Sequence, residues 1–248
     1  MKQAVRERVW TLLETKRAAR FPGTRGRIPN FVGAEAAADR LASLPEWQNA
    51  QVIKANPDAP QLPVRGRALK DGKRLYMAWP RLAGPKPFIV LDPRRLRHPL
   101  RHAASIKGAM AGGSPVAIGD MKHIDLVVCG SVAVNRKGAR IGKGGGFSDI
   151  EFGLLGEAGL IDARTVLVTT VHPLQVVAGE LPETGHDFRV DIIVTPDEVI
   201  RTRRSRRPSG IVWDDLDDKK IGAIPVLRRL SGRSVRPPRG GKQSAGKT

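Results

Sequence analysis

IDLVVCGSVAVNRKGARIGKGGGFSDIEFGLLGEAG, residues 124–159, passes from a short apolar block through a glycine cluster into a longer segment with helical spacing. Ile124 to Cys129 has the composition of a buried strand, and Val132, Ala133 and Val134 loosely continue it. Glycines crowd residues 142–146, and FSDIEFGLLGEAG then has the length of a helix. Moving outward, TVLVTTV at 165–171 and VDIIV at 190–194 repeat the β-branched strand pattern. Strands alternating with helices at these spacings predict an α/β fold: a mainly parallel sheet sandwiched by helices, three-layered and Rossmann-like.

Toward the amino terminus, Val5, Val9, Leu12 and Leu13 predict a helix reaching about Arg20, before Pro22, Gly23, Gly26 and Pro29 break the pattern. A second helix is expected over 34–44, strands at 51–54, 74–78 and 88–91, and a helix over 101–111. Residues 219–230 read as a last helix around Pro225. Beyond it the chain is Gly, Arg, Pro, Ser and Lys with almost nothing to bury. One α/β domain over 1–230 and a basic, disordered tail over 231–248 are therefore expected.

Of the 248 residues 40% are apolar but only 4% aromatic, so Val, Leu, Ile and Ala must build the core. A chain of this length needs no disulfide or zinc to fold, and the lone Cys129 excludes a disulfide framework. There is no apolar run of membrane-spanning length, and the start, MKQAVRERVW, lacks an apolar signal core. A cytoplasmic protein without a membrane partner is expected. Lys and Arg number 43 against 24 Asp and Glu, a net charge of +19. Residues 201–248 alone carry 14 basic and 4 acidic side chains. Such a field attracts polyanions: nucleotides, phosphorylated or polyglutamylated small molecules, or nucleic acid. Arg201, Arg203, Arg204, Arg206 and Arg207 form the densest run. It reads either as a grip on an RNA backbone or as a solvated loop, and the lack of interleaved aromatics favours the loop.

Most chemistry lies in the glycine cluster. Between a strand and a helix, Gly142, Gly144, Gly145 and Gly146 let backbone N–H groups approach a phosphate, and the helix start adds partial positive charge. Arg140 and Lys143 can neutralise phosphate oxygens, and Asp149 in the first helical turn either ligates Mg²⁺ or stabilises the helix start. A flexible turn with solvated charges is the competing reading. Two common templates fail. A Walker A loop needs four residues between its glycines and Ser or Thr after the Lys, whereas three separate Gly138 from Gly142 and Gly144 follows Lys143. A dinucleotide fingerprint from Gly142 needs glycine where Phe147 stands.

The segment from Gly138 to Asp149, GARIGKGGGFSD, resembles the basic glycine loop of the 5-formyltetrahydrofolate cyclo-ligase family, G-x-R-[LI]-G-[RK]-G-x-G-[YF]-x-D. The resemblance extends to Lys2-Gln3-Ala4-Val5-Arg6, to His186-Asp187 leading through Asp191 to Thr195, and to Gln175. RIPNF at 27–31, DLVVCGSVAV at 125–134, GIVW at 210–213 and IPVL at 224–227 are similar to the methenyltetrahydrofolate synthase domain-containing branch. Together these cover about residues 2–230 in order.

This resemblance implies an ATP- and Mg²⁺-dependent ligase that converts 5-formyltetrahydrofolate to 5,10-methenyltetrahydrofolate. The formyl oxygen would attack the γ-phosphate, the nitrogen at position 10 would close the ring, and phosphate would leave. By the same resemblance Lys2, Arg6, Arg140 and Lys143 would hold the triphosphate, with Lys143 and Arg140 as the catalytic cations. The N–H groups of Gly142, Gly144, Gly145 and Gly146 would assist beside Phe147, and Asp149 would hold Mg²⁺. Phe147, Ser148 and Tyr76 would face the folate.

Three departures fall on the folate side. Phe147-Ser148 replaces a pair of tyrosines, residues 56–66 carry no clear equivalent of the usual folate-side glutamate, and Gly130-Ser131 stands where the family has proline. An altered member that binds nucleotide or RNA without turnover, or a ligase for another formyl- or acyl-amine, therefore remain as alternatives. Other groups invite weaker readings. His98 and His102 lie one turn apart but have no neighbouring Cys or Glu. His172, His186 and Asp187 lack a Gly-x-Ser-x-Gly elbow. Tyr76 and Trp79 fit a pterin stack or a partly buried strand, and Cys129 reads as an inert core residue.

Overall fold

The computed structural model describes residues 1–84, 86–203 and 207–232. Its strands are β1 (Val52–Ala55), β2 (Arg74–Ala78), β3 (Phe88–Leu91), β4 (Ser114–Val116), β5 (Leu126–Cys129), β6 (Ala133–Asn135), β7 (Arg140–Ile141), β8 (Val166–Thr170), β9 (Val176–Val177), β10 (Ile192–Val194) and β11 (Val199–Arg201). The helices are α1 (Lys2–Thr15), α2 (Ala34–Ala42), α3 (Pro45–Asn49), α4 (Leu62–Lys70), α5 (Leu100–Ala103), α6 (Ile106–Gly112), α7 (Phe147–Glu157), α8 (Asp218–Ala223) and α9 (Pro225–Leu230).

The main sheet has the order β11-β10-β8-β5-β1-β2-β3-β4. Its centre, from β2 to β10, is parallel, while β3, β4 and β11 join antiparallel at the edges. Alternation along the central strands loads both faces. Val127 and Cys129 of β5 enter a core with α7, α8 and α9, whereas Leu126 and Val128 enter another with α2 to α6. Truncating a fully buried member such as Leu75 to Ala costs about 2–5 kcal/mol, since the cavity adds to the lost transfer energy. The expected three-layer α/β architecture is present.

Chain order reverses beside β1: β2 to β4 lie on one side, and β5, β8, β10 and β11 on the other. Such a switch point leaves a crevice beyond the strand ends, where α/β proteins bind ligands. A small sheet, β7-β6-β9, stands apart from the main one. It shares a core with α1, in which Val9, Trp10 and Leu13 meet Val132, Ala133 and Ile141.

Several boundaries differ from the sequence expectation. The first helix stops at Thr15, not Arg20, because Arg17 turns left-handed (φ 52°) and Ala19 bridges Phe31. The expected helix over 101–111 is split, since the Ser105 hydroxyl accepts from Gly108 N–H and starts α6 afresh. Of residues 132–134, Ala133 and Val134 belong to the small sheet rather than extending β5. The last helix is two, with Pro225 opening α9. Residues 233–248, most of the expected tail, and Arg204 and Arg206 lie outside the described residues.

After β11 the chain returns along α7. Arg207 donates to the carbonyls of Asp162 (3.1 Å) and Thr165 (2.8 Å) and pairs with Asp191 (2.5 Å). Gly153 of α7 lies so close to this segment that a Cβ there would sit 2.9 Å from Ile211 N. Buried Ile221, Val226 and Leu227 fasten the segment's end, which carries Lys220 to the glycine loop.

Candidate functional site

At the switch point lies a cavity of about 1250 Å³. Single small-molecule sites usually measure about 300–1,000 Å³, so this one is larger than most. One wall is strongly basic. Lys2 and Arg6, one turn apart on α1, reach across to it. Lys2 Nζ donates to Asp187 Oδ2 (2.5 Å) and Thr184 Oγ1 (3.2 Å), and Arg6 Nε donates to the Gly142 carbonyl (2.7 Å). Burial lowers the Arg6 pKa, with Asp187 opposing.

The loop between β7 and α7 holds the glycines. Gly144 (φ 102°) and Gly146 (φ 67°) adopt backbone conformations that favour glycine, and Gly146 opens α7 with no side-chain cap. The first-turn N–H groups of α7 are therefore left without a side-chain acceptor from the cap. Gly142, Lys143, Gly144, Gly145, Gly146, Phe147, Ser148 and Asp149 all line the cavity. Lys143 Nζ pairs with Asp58 Oδ1 (2.7 Å), in the loop after β1.

Arg140 and Asp149 sit deeper. Arg140 Nη2 lies 3.1 Å from Asp149 Oδ1, and its guanidinium covers the Phe188 ring at 4.2 Å. Buried Arg140 Nε has no partner among the described residues. Burial pushes the Asp149 carboxyl up, with Arg140 opposing. Burial also acts on Asp187, but hydrogen bonds from Lys2 and Thr184 outweigh it and hold that carboxyl below the usual range. Asp149, His186 and Asp187 each offer a ligand atom, all within 4.8 Å of one another. His186 Nδ1 is 2.5 Å from Asp215 Oδ2.

The rest of the lining mixes apolar, polar and charged groups. Leu62, Trp79 and Ile106 line it with Asn56, Ser148 and Glu151. Asn56 Nδ2 donates to Ser148 Oγ (2.7 Å), and Asn56 Oδ1 accepts from Lys54 Nζ, which also pairs with Glu151. Buried Arg65 braces this turn, donating to the carbonyls of Asn56 (2.5 Å) and Asp58 (3.0 Å). Burial, partly offset by Asp58, lowers its pKa to about 10. From α8, Lys220 stands over the Phe147 ring at 5.8 Å.

Thus Lys2, Arg6, Arg140, Lys143, the glycines, Phe147, Ser148 and Asp149 converge as expected on one cavity. Tyr76 does not. It is buried in the core, and its hydroxyl accepts from Lys122 N–H (3.0 Å), so it is unavailable to a ligand; Trp79, three residues on, lines the cavity, as Phe147 does. Sequence reasoning missed Asp58, Asn56, Lys54, Glu151 and Lys220. Two left a signal: a lysine inside the apolar strand VIKA and a glutamate inside the apolar helix FSDIEFGLL, both fully ionisable where a hydrophobe packs more cheaply.

Elsewhere, Arg201 pairs with Glu46 and Arg207 with Asp191, so these two arginines of the basic run engage the protein's own carboxylates. Cys129 is buried, which pushes its thiol pKa up, in keeping with an inert core residue. His98 and His102 form an edge-on ring pair, and His172 Nδ1 accepts from Leu174 N–H. No helix among the described residues is long and apolar enough to cross a membrane.

The profile of the 5-formyltetrahydrofolate cyclo-ligase family matches residues 1–196. Methenyltetrahydrofolate synthase domain-containing protein of Mus musculus is 41% identical over 238 residues, covering 94% of this chain and 63% of that protein. The Bos taurus protein of the same name is 40% identical over 235 residues, covering 92% and 61%. This chain therefore spans about three-fifths of the length of the curated relatives it matches. The solution structure of Aquifex aeolicus 5,10-methenyltetrahydrofolate synthetase superposes with a TM-score of 0.51 at 23% identity, covering 84% of this chain and 95% of that one, which shows a shared fold.

Proposed function

The chain belongs to the 5-formyltetrahydrofolate cyclo-ligase family, and from that premise we propose that it converts 5-formyltetrahydrofolate and ATP into 5,10-methenyltetrahydrofolate, ADP and phosphate, with Mg²⁺ as an unconsumed cofactor. One observation carries the reading: four cations and a glycine loop meet two close carboxylates at the switch-point cavity.

An amide-like formyl oxygen leaves poorly until it is phosphorylated, and phosphoryl transfer requires positioning and charge neutralisation more than covalent help. Lys2, Arg6, Arg140 and Lys143 supply that neutralisation, and the N–H groups of Gly144, Gly145 and Gly146 orient the phosphates. Asp149 and Asp187 fit Mg²⁺, a hard cation that prefers carboxylate oxygens, better than His186 does. When bound, the metal contributes further neutralisation of phosphate charge. Phe147, Ser148 and Trp79 flank the folate, and Leu62 and Ile106 add apolar surface to the same cavity. No acid/base dyad is needed.

The test is direct. Purified protein given 5-formyltetrahydrofolate, ATP and Mg²⁺ should accumulate the absorbing methenyl product, and Lys143→Ala should slow this severely. Absence of product at saturating substrates would overturn the enzymatic reading and favour a member that binds nucleotide without turnover. An RNA-binding reading has less behind it, given the partners of Arg201 and Arg207.

A further inference from the structure

Buried beneath the cavity lining is an ion pair to which the proposed phosphate chemistry assigns no role. Lys54, on β1, has a side chain only 3% exposed, and its partner Glu151, on α7, is 6% exposed. Burying two charges costs several kcal/mol each by rough count, and a hydrophobic pair of similar size is often as stable or more so. Around them Val52, Ile53, Ile150 and Phe152 are apolar. Folding alone therefore gives little reason for the pair.

Its hydrogen bonds are unevenly spent. Lys54 Nζ engages Glu151 Oε2 and Asn56 Oδ1. Glu151 Oε1 has no hydrogen-bond partner among the described residues, although Glu151 lines the cavity. Ser148, three residues earlier on the same face of α7, accepts from Asn56 Nδ2 and so keeps its own proton to donate. The cavity floor thus offers a carboxylate acceptor beside a hydroxyl donor, each fixed by a buried neighbour. A ring that presents two adjacent N–H donors followed by a carbonyl oxygen is the complement of that pattern.

We propose that Glu151, pinned by Lys54 and flanked by the Asn56–Ser148 pair, reads the N–H edge of a 2-aminopyrimidin-4-one ring. The amino group and ring N–H would donate to the carboxylate, and Ser148 would donate to the ring carbonyl. This rests on the folate reading above and deepens it by naming the residue that would recognise the ring. The same edge occurs in a reduced folate and in a guanine nucleotide, so the ligand class is the edge itself.

Glu151→Gln alone would strand Lys54, so the test uses Lys54→Met with Glu151→Leu, which removes both charges at similar volume. Calorimetry on the folded proteins measures 5-formyltetrahydrofolate, its analogue lacking the 2-amino group, GTP and a non-hydrolysable ATP analogue. The native protein should prefer the 2-amino folate over the analogue by about 10–100-fold, the usual effect of leaving a buried polar group unpaired. The double variant should lose that preference while holding the ATP analogue within about twofold. A double variant that still discriminates overturns the inference and leaves the folate reading intact. A native protein that binds GTP through Glu151 but no folate supports the inference and defeats the folate reading. Failure of the native protein to bind either ring overturns both.

Discussion

The pair between Lys143 and Asp58 makes a quantitative claim about the glycine loop. In the resting protein Lys143 Nζ is 2.7 Å from Asp58 Oδ1, with the lysine 41% and the aspartate 12% exposed. A partly exposed ion pair contributes about 0.2–1 kcal/mol, whereas a charge-assisted hydrogen bond to a phosphate is worth about 1.5–3 kcal/mol. On the proposed reading Lys143 would gain by changing partner as a triphosphate binds, and Asp58 would oppose the change. Lys143→Ala loses the phosphate contact and leaves an unmatched carboxylate at the loop. Its affinity for a non-hydrolysable ATP analogue should fall about 10–100-fold, taking 1.4 kcal/mol per decade. Asp58→Asn removes the competitor and should tighten binding by about 1.5–5-fold, the value of the pair it abolishes. Isothermal calorimetry with Mg²⁺ at about 0.15 M ionic strength, where long-range charge effects are screened, reads both. A Lys143→Ala protein within twofold of native, or an Asp58→Asn protein that binds more weakly, would refute the exchange and with it the assignment of Lys143 to phosphate.

Three further outcomes follow from the same geometry. Tyr76→Phe removes the acceptor of Lys122 N–H and a neighbour of the Arg74 guanidinium; chemical denaturation should show a loss of about 1 kcal/mol, with 5-formyltetrahydrofolate affinity unchanged. Burial lowers the His172 pKa below 6.5, with Asp197 opposing, so the unfolded chain binds the proton first. Stability associated with this residue is full above about pH 6.5 and is lost as pH falls through the folded value; His172→Asn, which keeps a capping acceptor, should flatten that part of the unfolding profile. Arg207→Ala strands Asp191 and frees the segment that carries Lys220. A cost of about 3–5 kcal/mol is expected, together with weaker ATP-analogue binding, whereas Lys220→Met should weaken that binding without the stability loss.

The central sheet was legible because its evidence is local. Each of β1, β2, β3, β5, β8 and β10 is a short apolar run close to where the residues predict it, and in β5 strict alternation feeds two cores at once. Helix ends were less legible because tertiary contacts set them. Ala18 is buried and continues the apolar pattern of α1, yet the bridge between Ala19 and Phe31 ends the helix from outside. Ser105 breaks α5 from α6 by a cap that a continuous helical pattern conceals. In Tyr76 the same strand pattern admitted two outcomes, and packing of β2 against the main core chose burial.

Within the site, the division is one of sequence distance. Arg140, Lys143, the glycines and Asp149 lie within ten residues, so their spacing alone brings them together. The groups that answer them do not. Asp58 is 85 residues from Lys143, Glu151 is 97 from Lys54, and Asp187 is 185 from Lys2. These pairings have a common consequence. Lys2, Arg140 and Lys143 each hold a carboxylate of the protein before any ligand arrives. On the proposed reading, binding a nucleotide is an exchange of partners rather than the filling of a bare cationic pocket, and two of the three carboxylates it would release, Asp149 and Asp187, suit a divalent cation. On that reading cation and phosphate would favour one another through the protein, each taking up a charge that the other's arrival leaves unpaired. A local sequence motif discloses the cations, but only the folded chain discloses what they must let go.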